Sequence, residues 1–67
     1  MNFTYLWQRP LGGLSVDILV DVTAEVDEDG KVLTWEILLP HGGILHAIPD
    51  YLLESLLDRV KKEQERG

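Results

Sequence analysis

The sequence predicts an α+β domain: an antiparallel β-meander of three to four strands with one C-terminal amphipathic helix packed on one sheet face, in the order ββββα. Three observations predict it. Every even position from Leu14 to Val26 is apolar, and the odd positions are polar except Leu19. Asp27-Glu28-Asp29-Gly30 separates that run from a second β-rich run. Leucines recur at helical spacing after Pro49-Asp50. The expected strands lie at about 3–8, 14–27, 31–39 and 44–46, and the helix at about 49–64, in a single domain covering 1–67.

The first strand, Phe3 to Gln8, places Phe3, Tyr5 and Trp7 on one side. It is expected to end at Pro10-Leu11-Gly12-Gly13-Leu14, a segment echoed by Pro40-His41-Gly42-Gly43-Ile44. Proline lacks a ladder donor and glycine supplies positive φ, so both segments read as tight reversals. In the second strand, a period of two sustained from Leu14 to Val26 means a long half-buried ribbon. The third strand is expected to pair with it across a two-residue type I′ turn at Asp29-Gly30. Glu28 then faces Lys31, Val26 faces Leu33, Ala24 faces Trp35, Val22 faces Ile37 and Val20 faces Leu39. A one-residue slip would mix apolar and polar faces and is penalised. A four-residue loop, Asp27 to Gly30, keeps the faces matched too; the tighter turn is preferred because it spares Val26 a place opposite Lys31. A short fourth strand, Ile44 to His46, is expected beside the third.

Pro49-Asp50 suits a helix start, since proline fits the first turn and an acid there favours the dipole. Leu52, Leu53, Leu56, Leu57 and Val60 make one stripe, to be laid on the even face of strand two and the odd face of strand three. Asp58 and Lys62 have the favourable i to i+4 spacing for an ion pair. Residues 64–67 are expected to fray.

Composition narrows function. The chain has no cysteine, so it holds neither a disulfide nor a thiolate metal site. Residues 1–58 carry ten acids and two bases, whereas residues 59–67 carry four bases and two acids. An acidic body repels phosphate backbones, so direct nucleic-acid binding is not expected. The terminal bases suit a helix C-terminus. No run approaches the roughly 20 apolar residues of a membrane span, and the first residues lack signal-peptide character, so a cytoplasmic protein is expected.

No motif for chemistry stands out. His41, His46 and Asp50 match no strong ligand spacing, so no metal site is expected. Ser15 and Ser55 sit in no nucleophile elbow, and neither Gly-Gly pair precedes a helix as a phosphate loop does. The expectation is a non-enzymatic protein with no catalytic residue and no cofactor; a small-molecule ligand is not expected in so small a chain. Two surface features remain. Asp17, Asp21, Glu25 and Glu36 form an acidic surface, which is foremost the solvated side of a sheet. It could also imitate a phosphate backbone, although charges four residues apart on a strand lie about 13 Å from each other, wider than successive phosphates on one DNA strand. Leu6, Leu19, Val32 and Leu38 interrupt that polar face as a candidate interface.

Tyr5-Leu-Trp-Gln-Arg-Pro10, the long hairpin, and Ile48-Pro49-Asp50-Tyr51-Leu52-Leu53 resemble small orphan proteins of bacteriophages and prophages. The resemblance is one of pattern and size. It implies a β-meander with one terminal helix, and it brings no functional residues with it. The expected function is that of a small accessory protein acting as a homodimer, or by binding a protein partner, through the sheet face away from the helix. The alternative is an acidic nucleic-acid-mimic inhibitor of a basic host protein; an enzyme or a metal-binding protein is more distant still.

Overall fold

The computed structural model describes residues 1–66; Gly67 lies outside them. Three antiparallel strands, β1 (Asn2–Leu11), β2 (Leu14–Val26) and β3 (Val32–Leu38), form one sheet in the order β1-β2-β3, followed by one helix, α1 (Asp50–Arg66). The interior comprises Phe3, Trp7, Val20, Val22, Ala24, Ile37, Leu52, Leu56 and Val60, all apolar. Burying one such side chain contributes about 1.5–3 kcal/mol, so this cluster carries most of the fold.

β1 is longer than expected and does not stop at Pro10. It pairs without interruption from Asn2↔Thr23 to Leu11↔Leu14. The reversal is Gly12-Gly13 alone, with φ of 55° and 86°, the two positive values a type I′ turn demands. Proline is tolerated because of strand parity. Met1 exchanges both backbone bonds with Ala24, at 2.8 and 2.9 Å. Bonded pairs alternate along an antiparallel ladder, so odd residues of β1 face β2 and even residues face outward. Pro10 therefore lacks a donor only on the open edge.

The β2–β3 pairing matches the expected register from Ala24↔Trp35 to Val22↔Ile37, with Glu25↔Thr34 and Thr23↔Glu36 on the other face. The turn differs. Among the described residues none other than glycine has positive φ, so Asp29 does not take the conformation a type I′ turn would need. The Asp27 carboxylate instead accepts the N–H groups of Asp29 and Lys31 at 3.0 and 2.8 Å. Gly30 N–H donates to Asp27 C=O, Asp27 N–H donates to Lys31 C=O, and Gly30 takes φ of 85°. Lys31 thus sits across from Asp27, not Glu28, and Val26 pairs with Val32, not Leu33. The extra residue is absorbed as a bulge next to Glu25↔Thr34.

The same bonding recurs at Leu39–Gly43. Leu39 N–H donates to Gly43 C=O, Gly42 N–H donates to Leu39 C=O, and Gly42 has φ of 93°. The Pro-x-Gly-Gly echo thus folds in two ways, and its second copy is the sibling of the Asp27 turn. Beyond it, no fourth strand forms among the described residues. A single Leu38↔Ile44 bridge and a Leu45 N–H to Ile37 C=O bond mark where it would begin. Leu45 and Ile48 then turn against the core, taking the chain off the sheet edge and into α1.

α1 buries Leu52, Leu56 and Val60, half-buries Leu53 and leaves Leu57 exposed, so its apolar stripe is narrower than expected. Its ion pairs are Arg59–Glu63 at 2.9 Å and Arg66–Glu63 at 3.6 Å, in place of the expected Asp58–Lys62. The Arg59 guanidinium is held over the Phe3 ring, 5.1 Å from its centroid, which aims it at Glu63. Helical structure continues to Arg66 through the segment expected to fray, and Gln64 donates to Gly30 C=O at 3.1 Å.

The helix covers only part of the ribbon. Thirteen strand residues span about 43 Å and seventeen helical residues about 25 Å. Of the apolar positions on β2, Val20, Val22 and Ala24 are buried and Ile18 and Val26 half-buried, but Leu14 and Val16 are exposed, contrary to expectation. Trp35 is half-buried against the core. The molecule measures 40 × 22 × 19 Å.

Candidate interaction surface

The face of the sheet opposite α1 is built by the side chains that alternate with the core. On β1 these are Thr4, Leu6 and Gln8; on β2, Asp17, Leu19, Asp21, Thr23 and Glu25; on β3, Thr34, Glu36 and Leu38. Leu6 and Leu19 are directly opposed across β1–β2, exposed to 52% and 59%. Leu38 lies across from Asp21, one step diagonally from Leu19, and is 37% exposed. These three of the expected interface residues therefore fall in one small patch. Val32 does not join them. The bulge turns it toward the core, where it is half-buried, and leaves Leu33 exposed in its stead.

Asp17, Asp21, Glu25 and Glu36 are all exposed. Asp17 and Asp21 flank Leu19 along β2, and Glu25 and Glu36 extend the acidic surface toward the β2–β3 turn. The cross-strand partners of Glu36 and Glu25 are Thr23 and Thr34, so no two acids oppose each other directly. That spares the sheet the like-charge repulsion such pairs bring.

A different surface was not foreseen from the sequence. Where α1 crosses β1, a groove is lined by the β1 segment Tyr5, Leu6, Trp7 and Gln8 and by Tyr51, Leu52 and Ser55 of α1. It continues beside Asp58, Arg59 and Lys62. Trp7 Nε1–H donates to the Tyr51 hydroxyl at 3.0 Å across 44 positions of sequence, tying β1 to the start of α1. Arg9 stacks over the outer side of Trp7, 5.4 Å from the ring centroid. Nothing in the periodicity of either segment signalled that they meet.

Among the described residues no polar or charged side chain is buried, and no three His, Asp or Glu side chains gather as metal ligands. His41 and His46 are both exposed, one in the Leu39–Gly43 turn and one in the segment leading to α1. No helix among the described residues is long and apolar enough to cross a membrane. Comparison with protein-family models, with curated proteins and with solved structures gives no match.

Proposed function

We propose that this chain is a non-enzymatic accessory protein of the bacterial or phage type. It acts in the cytoplasm by binding protein through the sheet face away from α1, as a homodimer or on a host partner. The observation that carries the reading is the directly opposed, half-exposed pair Leu6 and Leu19, with Leu38 diagonal to it, on a face otherwise made of polar and acidic side chains. An apolar centre inside a polar rim is the usual anatomy of a protein interface. The acids serve as that rim.

The test is capture from host lysate at low and high salt, with the wild type beside Leu19→Lys, together with sedimentation of the pure chain. An apolar interface predicts capture, or a concentration-dependent mass, that survives high salt and disappears in Leu19→Lys. Capture that vanishes with salt but persists in Leu19→Lys would instead favour the acidic mimic of a nucleic-acid backbone. A chain that captures nothing and stays monomeric contradicts both.

A further inference from the structure

We propose that two copies of the chain associate through β1, pairing antiparallel about a two-fold axis at Tyr5 to make one continuous six-stranded sheet. β2 is the central strand, and the outer edge of β3 is partly occupied by the Leu38↔Ile44 bridge and the bond from Leu45 to Ile37. β1 is the other edge, and no element among the described residues bonds to its outer side. Strand parity makes the outward groups those of Asn2, Thr4, Leu6 and Gln8, with only a carbonyl at Pro10.

That set is self-complementary. With Tyr5 on the axis, Asn2 of one copy pairs with Gln8 of the other, and Thr4 pairs with Leu6. Every outward N–H and C=O from Asn2 to Gln8 then finds a partner, and Pro10 overhangs the ladder. Moving the axis to Leu6 would set Asn2 against Pro10, leaving the Asn2 carbonyl without a donor and pressing the proline ring on the facing strand. Pro10 thus selects the register. Little else on this edge deters pairing, since β1 has no lysine and its one charged side chain, Arg9, is drawn over the Trp7 ring.

Charge selects the same edge. Each copy has a net charge of −6, and the acids of the sheet lie on β2 and β3. β1 contains no acid and one arginine, so it is the strand by which two such molecules can approach. The Tyr5 register also sets Leu6 of each copy diagonally beside its counterpart, within side-chain reach on the face away from α1. The Leu6–Leu19 pairs of both copies become one strip. Pairing of this kind is isologous and closes at two copies. It requires only the open ladder, so it stands or falls apart from the reading of the sheet face.

Sedimentation equilibrium of the full chain from micromolar to millimolar concentration tests it, with hydrogen exchange followed over the same range. A monomer–dimer equilibrium is expected, and added salt should tighten it, because screening relieves repulsion between two acidic chains. The amides of Thr4, Leu6 and Gln8 should exchange more slowly as concentration rises, while those of Tyr5 and Trp7 stay protected throughout. Gln8→Pro removes one outward donor without touching the β1–β2 ladder and should be monomeric; Leu38→Lys, on the far strand, should dimerise as the wild type does. A strictly monomeric wild type overturns the proposal, as does a dimer whose Thr4, Leu6 and Gln8 amides remain open. A dimer abolished by Leu38→Lys and indifferent to Gln8→Pro would overturn it too, and would place self-association on the sheet face.

Discussion

At the scale of the residue, a few side chains hold elements that local propensity alone would not bring together. Gly30 is one. Its φ of 85° lies where an L side chain is strained, and a β-carbon there would sit 3.1 Å from the Gln64 amide that donates to its carbonyl. Gly30→Ala should lower stability by about 1–2 kcal/mol, read as a shift in the urea midpoint with unchanged slope. Trp7 is another. It is buried, and the Tyr51 hydroxyl accepts its indole N–H. Tyr51→Phe removes that acceptor while preserving the ring. Tyr51 is half open to water, so the cost should be near the lower end of the range for an orphaned donor, about 1 kcal/mol. Trp7 fluorescence should report the change. Leu6 and Leu19 could be singled out from sequence because each interrupts a polar alternation. The partnership of Trp7 with Tyr51 could not, because no local period links positions 44 residues apart.

At the scale of the element, β2 and its pairing with β3 were legible because a thirteen-residue alternation leaves one choice of face. The end of the hairpin was not. Asp29-Gly30 has the composition of a type I′ turn, but the Asp27 carboxylate offers two backbone donors a partner in the longer turn. Side-chain capture of this sort outweighed the two-residue preference and exchanged the surroundings of Val32 and Leu33. Asp27→Ala should therefore destabilise the hairpin by roughly 1 kcal/mol, read from the chemical shifts of Asp29 and Lys31 N–H. The helix gives a sharper contrast. Leu56 is fully buried and Leu57 is nearly half exposed, although both belong to the stripe read from sequence. Leu56→Asp should abolish cooperative thermal unfolding, as a buried unpaired carboxylate costs several kcal/mol. Leu57→Asp should stay within about 0.5 kcal/mol of the wild type. Periodicity located the helix face to within one leucine column; the sheet it meets decided which column is inside.

At the scale of the whole molecule, sheet order and a single layer of helix could be anticipated from the succession of elements, but the mismatch between the lengths of ribbon and helix could not be acted on without knowing where α1 docks. Trp7–Tyr51 fixes the upper end of that contact and Gln64–Gly30 the lower. Past Trp7, Gln8 to Asp17 continue as two strands closed by Gly12-Gly13, and among the described residues no second layer covers the end of that ribbon. A two-stranded ribbon is marginal in water when nothing packs on it. The protein is thus built as a firm body with a soft end, and its unfolding should begin there. In native-state exchange, the ladder amides of Leu11 and Leu14 should open through small local fluctuations that are insensitive to denaturant. Those of Val22 and Ile37 should open only when the entire chain does.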